Sequence, residues 1–134
     1  MKFTIMRLNT PNRNNRVYPT ETFQLAIDEY NKQIVEKRAI GVIGEYETDK
    51  DWSGVNLEKA SHIVEKLEIV GDEVHADIKV LDTLAGQKLR DLLATTDMTF
   101  RPRGEGQIHN TADVYVVSEY KLVSIDAIPT DKAA

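Results

Sequence analysis

The three histidines, His62, His75 and His109, are the side chains best suited to moving a proton near neutral pH. No two of them lie three to five residues apart, so the spacing of a histidine metal site is absent. His75 falls between Val74 and Ala76 on the polar face of an alternating run and reads as an exposed strand histidine. His109 sits in a turn-like Gln-Ile-His-Asn stretch. His62 opens a strand and reads as a structural histidine whose ring is satisfied by hydrogen bonds. The chain has no cysteine, which excludes disulfides, thiolate nucleophiles and Cys-based zinc sites. Gly104-Glu105-Gly106 lacks the following helix that a phosphate-binding loop needs, and no Gly-x-Ser-x-Gly elbow is present. Residue types and spacing by themselves define no catalytic site and ask for no metal or cofactor.

Two other stretches stand out. One is NRNNRVYP, Asn12 to Pro19, where three asparagines and two arginines precede an aromatic and a proline. Asparagine side chains hold tight connections by bonding nearby backbone, so a structural loop is expected. Arg13 and Arg16 add a candidate contact for an anion or a partner. The other is Trp52, in a polar loop between Glu47 and Val55. Its ring suits an interface anchor as well as it suits a cover over the edge of a sheet.

The elements that must position these residues follow from periodicity. Lys2 to Leu8 reads as a first strand, and the asparagine-rich loop follows. From Thr20 to Lys37, Phe23, Ala26, Ile27, Tyr30 and Ile34 recur at three and four, the spacing of one helical face. Pro19 suits the first helical position. Ala39 to Ile43 reads as a buried strand. Ile63 to Val70 and Val74 to Leu81 alternate around the Gly71-Asp72 turn signal and predict a hairpin. Asp82 or Thr83 caps a second helix, with Leu84, Ala85, Leu89, Leu92 and Leu93 along one side. Met98 to Ile108 and Val114 to Ile128 predict two more strands. Strands that are mostly sequence neighbours, without βαβ alternation, predict an α+β fold. Its expected form is a mostly antiparallel sheet or small barrel with two packed helices. The 134 residues fit a single domain, 1–134. No run of 18 apolar residues exists to span a membrane as a helix. The net charge of −5 argues against nucleic acid as a partner unless Arg13, Arg16, Arg101 and Arg103 form a local patch.

Taken in order, "NRNNRVYP", a helix, "RAIGVIGEYE", "VNLEKASHIVEKLEIVGDEVHADIKVLDTLAGQKLRDLL", "MTFRPRGEG" and "YKLVSIDAIPTDKA" resemble the prohead maturation proteases of contractile-tailed phages. Those are serine proteases with the herpesvirus-assemblin type of fold. The resemblance runs from about Phe3 to about Lys132. It implies a herpesvirus-protease-like architecture in which NRNNRVYP joins the first strand to the first helix.

The departures from that pattern bear on function. In those proteases a phrase like GELGHP carries the general-base histidine. Here Gly41 to Tyr46 reads GVIGEY, with Glu45 at the histidine's position and Tyr46 at the proline's. A phrase like GVSSRGLG brings the nucleophilic serine. Here Thr99 to Gly106 reads TFRPRGEG, with Arg101 and Pro102 at the two serine positions, while Arg103, Gly104 and Gly106 are retained. Serine catalysis needs a hydroxyl and a base within hydrogen-bond reach. Arginine and proline offer no nucleophilic oxygen, and arginine stays protonated. A Thr99–Glu45 pair is a poor substitute, because an ordinary carboxylate is a weak base for a hydroxyl. An ion pair between Glu45 and Arg101 is the expected occupant of the old site.

The resemblance with these departures implies a pseudoprotease's role without catalysis: a phage structural protein that binds the capsid shell as a decoration, cement or head-associated protein. Its partners would be the major capsid protein, other head proteins or further copies of itself. It would act in the host cytoplasm during assembly and stay in the virion. Two alternatives are an assembly partner or regulator of the prohead protease or scaffold, and a divergent active protease.

Overall fold

A computed structural model describes residues 1–44 and 57–132. Glu45, Tyr46 and Trp52 lie outside the described residues. The elements are β1 (Lys2–Arg7), β2 (Arg16–Val17), α1 (Thr20–Val35), β3 (Ile40–Val42), β4 (Ala60–Val70), β5 (Glu73–Val80), α2 (Leu84–Thr95), β6 (Met98–Thr111) and β7 (Val114–Pro129). Short 3-10 turns at Leu57–Lys59 and Thr130–Lys132 flank β4 and β7.

Two sheets result. The first has the order β1-β5-β4-β3 and is antiparallel throughout. The second has the order β2-β7-β6, with β6 and β7 antiparallel and the two-residue β2 running parallel to β7. The sheets meet along two seams. At one, Ile43 bridges Ala127 in parallel, and the Gly44 N–H donates to the Ala127 carbonyl at 2.7 Å. At the other, Phe3 of β1 packs on Phe100 of β6 with ring centroids 4.4 Å apart. The result is an α+β fold of curled, mostly antiparallel sheet with two helices packed on it, as the pattern predicts.

The helices are placed by their apolar stripes. α1 buries Phe23, Ala26, Ile27 and Tyr30, with Ile34 packed against the same core. Pro19 has extended backbone and caps the helix from outside, one position earlier than expected. In α2 the buried positions are Gly86 and Leu89, and Leu93 packs on the core. Leu84 is 86% exposed, contrary to its expected place on the packed side. The Thr83 side chain explains this. Its hydroxyl accepts the Gly86 N–H at 2.9 Å and donates to the Ala60 carbonyl at 2.7 Å, which pins the first turn against β4. The inward stripe therefore starts at Gly86, where a Cβ would lie 1.9 Å from the Leu81 carbonyl oxygen.

β6 continues past Ile108 to Thr111, so His109 is a strand residue opposite Val116 and not part of a turn. The outer half of the β6–β7 hairpin projects beyond the core, and Glu105 to Asp113 are exposed.

Candidate functional site

The loop from Asn9 to Tyr18 is built by its asparagines. Asn9 and Asn15 have φ of 62° and 60°, the left-handed region that asparagine tolerates better than most residues. The Asn9 side-chain oxygen accepts the Thr20 N–H, and its amide donates to the Thr20 hydroxyl and to Asp72. The Asn12 side-chain oxygen accepts the N–H groups of Asn14 and Arg16, at 2.9 and 3.1 Å. The Asn15 amide donates to the Asp113 carbonyl. These bonds lay β2 alongside β7 and leave the Arg16 side chain exposed at the sheet's edge. The sequence stretch that stood out is a positioning loop that carries a cationic group.

That loop forms one wall of a cleft of about 480 Å³. β6, β7 and Gly44 supply the rest, and the lining joins Arg16, Arg101, Arg103, Glu105 and Asp126 to Tyr18, Tyr120, Pro102, Ile108 and Val117. Arg101, Pro102, Arg103 and Gly104, all singled out in the sequence, come together here with Arg16. Arg13 instead lines an adjoining hollow of about 470 Å³ between β1 and β6, which shares Asn12, Tyr18, Arg101 and Pro102 with the cleft. Arg13, Arg16 and Arg101 therefore line neighbouring hollows that also hold Glu73, Glu105 and Asp126, while Arg103 is buried. Glu45 and Trp52, and with them the expected Glu45–Arg101 ion pair, lie outside the described residues.

Beneath the cleft floor lies a buried charge cluster that the sequence did not announce. Arg103 and Asp126 are each 6% exposed. The Arg103 Nε–H donates to Asp126 Oδ2 at 2.8 Å and to Ser124 Oγ at 3.2 Å. Ser124 Oγ donates to Asp126 Oδ1 at 2.9 Å, and the Val42 N–H reaches the same oxygen at 3.3 Å. The cluster ties β6, β7 and β3 together. The signal for Asp126 in the sequence was an acid inside the apolar run Val123 to Pro129. The retained glycines have a packing reason. A Cβ on Gly104 would lie 2.4 Å from the Lys121 carbonyl oxygen, and one on Gly106 would lie 2.1 Å from that of Glu119.

The histidines are placed as follows. His62 is fully buried. Its Nε2–H donates to the Ile125 carbonyl at 2.6 Å, and its Nδ1 accepts the Ser61 hydroxyl at 2.7 Å. The carbonyl can only accept, which fixes the neutral ring with its proton on Nε2. Burial pushes the His62 pKa below its ordinary value, opposed by the Ile125 hydrogen bond and the Asp126 carboxylate. Gly41 makes room for the ring: a Cβ there would lie 2.2 Å from His62 Nε2. The sequence reading had missed Ser61, which is also fully buried. His75 is half-buried, not exposed, and its Nε2 lies 3.1 Å from a Glu73 carboxylate oxygen. Thr99 shares a hydrogen bond of 2.7 Å with the Thr130 hydroxyl and lines the adjoining hollow instead of the cleft.

Among the described residues the cleft is lined by no serine, threonine, cysteine or histidine. What it offers is guanidinium groups, the Glu105 and Asp126 carboxylates, phenol rings and aliphatic surface, a set suited to holding a ligand. Among the described residues no group of three or more His, Asp or Glu side chains could hold a metal, and no helix is long and apolar enough to cross a membrane.

The solved structure of the bacteriophage T4 capsid assembly protease, gp21, superposes with a TM-score of 0.83 at 23% sequence identity, covering 96% of this chain and 79% of that one. No match was found among curated proteins. The family model of the prohead core protein serine proteases matches residues 2–133. That match, over nearly the whole chain, places this chain in the prohead core protein serine protease family.

Proposed function

We propose that this chain is a non-catalytic member of its family, a head-associated phage protein that uses the cleft between β2, β6 and β7 to bind. The observation that carries the reading is the cleft's chemistry. Arg101 and Pro102 stand where the family resemblance expects serines, and the described lining has neither a nucleophilic hydroxyl nor an imidazole. A guanidinium is a strong, permanently charged hydrogen-bond donor and no base. Arg13, Arg16 and, from the undescribed segment, Trp52 are the proposed partner contacts. The partners are the major capsid protein or other head proteins, met in the host cytoplasm during assembly and retained in the virion. Weak contacts suffice there, because repetition on a symmetric shell multiplies them. Copy number in purified mature heads, measured by quantitative mass spectrometry against the major capsid protein, tests this. A fixed, symmetry-related ratio is expected. Presence in proheads with absence from mature heads would move the reading to an assembly partner or regulator of the protease or scaffold.

A second reading, a divergent active protease, draws on the Ser61–His62 pair, the described residues' one hydrogen-bonded serine–histidine couple. Its hydroxyl and ring are both fully buried and His62 Nε2 is committed to Ile125, so a substrate would require the sheets to open. Incubation with proheads separates the two readings. Cleavage of head proteins that is lost in Ser61→Ala would establish the enzyme.

A further inference from the structure

β6 is an edge strand, with β7 on one side. Its inner half is covered by β1, where Phe3 packs on Phe100. Its outer half, Glu105 to Thr111, is exposed, and no described residue pairs with its other side. The Ser118 hydroxyl donates to the Gln107 carbonyl at 3.3 Å, so the Gln107 backbone faces β7. Alternation then turns the N–H and C=O groups of Gly106 and Ile108 to the open side. Both register shifts of the hairpin add their extra residue, Val123 or Ser118, to β7, so β6 itself runs on without a bulge. The open stretch also contains no lysine and no proline, the residues that commonly blunt an edge. Glu105 and His109 share one face of the strand with Gln107, and neither side chain has a partner among the described residues. Ile108, on the other face, is 46% exposed.

Outward-facing N–H and C=O groups in a row are satisfied by another extended strand. We propose that β6 of one copy pairs antiparallel with β6 of a second copy, about a twofold axis at Gln107. The possible antiparallel registers differ in which residue lies on the axis. An axis at Glu105 sets two carboxylates against each other, and an axis at His109 sets two imidazoles together. Only the axis at Gln107 sets Glu105 of each copy opposite His109 of the other. That pair is of the non-hydrogen-bonded type, with Cα atoms about 4.5 Å apart, so an imidazole N–H can donate to the carboxylate. In the same register Gly106 exchanges backbone hydrogen bonds with Ile108, and the glycine leaves room for the Ile108 side chain. The strand is complementary to itself, which selects a second copy over a strand of another protein. The contact is isologous. It continues the sheet as β2-β7-β6-β6-β7-β2 and opens both clefts on the same face. The net charge of −5 opposes the pairing only weakly, since screening over about 8 Å at physiological ionic strength leaves the short contacts dominant. The inference does not depend on what the cleft binds.

Sedimentation velocity and amide hydrogen exchange, followed up to about 1 mM protein, test this. The wild-type chain is expected to form a dimer and nothing larger. As it forms, exchange at the Gly106 and Ile108 amides should slow, while Gln107 and His109, already turned to β7, should not change. Glu105→Arg and His109→Glu, made separately, are each expected to weaken dimerisation by at least about tenfold while keeping wild-type thermal unfolding, because each sets like charges or two cationic donors across the axis. The two changes combined should restore it, since the opposite charges have only traded places. Lys88→Glu, on the exposed side of α2, should behave as wild type. A wild-type chain that stays monomeric at about 1 mM overturns the proposal. So does a dimer whose Gly106 and Ile108 amides exchange at a rate independent of concentration, and so does a combined variant no stronger than the single ones.

Discussion

At the residue scale, the cleft is organised around arginine. Arg103 is fixed by Asp126 and Ser124 beneath the cleft, and breaking a buried pair leaves an uncompensated charge. Arg103→Ala is therefore expected to lower stability by about 3–5 kcal/mol in urea unfolding. Replacing both partners, as Arg103→Met with Asp126→Leu, should cost less than the single change, because no charge is then stranded. Tyr30 supplies the opposite case. Its hydroxyl is buried with no hydrogen-bond partner among the described residues, and burial together with the Asp126 carboxylate pushes its pKa up. Removing an unsatisfied hydroxyl relieves a desolvation cost, so Tyr30→Phe should leave stability unchanged or raise it by up to about 1 kcal/mol. A clear loss in the same unfolding measurement would show that the hydroxyl has a role.

At the scale of elements, the asparagine loop and the β6–β7 hairpin decide where the cleft lies. Asn12 satisfies two backbone N–H groups with one side-chain oxygen and so sets the approach of β2 to β7. Asn12→Ala is expected to cost about 1–2 kcal/mol and to loosen the Arg16 wall of the cleft. Hydrogen exchange should show this as faster exchange at Asn14 and Arg16, with α2 unchanged. Two register shifts in β6, at Arg103/Gly104 and Gln107/Ile108, bend the hairpin where the cleft lies. The element pattern was largely legible, because α1, the β4–β5 hairpin and β7 each repeat apolar residues at the period of their own secondary structure. β2 was not legible. Two residues have no period, and Arg16 and Val17 become a strand only because Asn12 and Asn15 bring them to β7.

At the scale of the whole molecule, the buried His62 links stability to pH. Its folded pKa lies below its ordinary value of 6.5, so the unfolded chain binds the proton more readily. Its contribution is fully present above about 6.5 and is lost as pH falls below that value. The melting temperature is expected to drop between about pH 7 and pH 5.5, and His62→Gln should flatten that slope. An unchanged slope in the variant would assign the effect to other groups. His62 reaches from β4 to the Ile125 carbonyl of β7, so its loss on acidification would weaken the tie between the two sheets.

The sequence by itself determined the α+β class, both helices and most strand faces, because local periodicity and turn chemistry act over a few residues. It also determined that Arg101 and Pro102 supply no nucleophile, since that follows from side-chain chemistry in any fold. Only the tertiary structure decided that Arg16 faces the same cleft as Arg101, that Thr99 turns to Thr130, and that Leu84 stays in solvent. Only the fold paired Asp126 with Arg103 and sealed Ser61 against His62. Those outcomes depend on which strands meet and on which face becomes buried. A buried charge or hydroxyl takes its meaning from a partner brought to it across the sheet, and no local pattern in the chain encodes that partner.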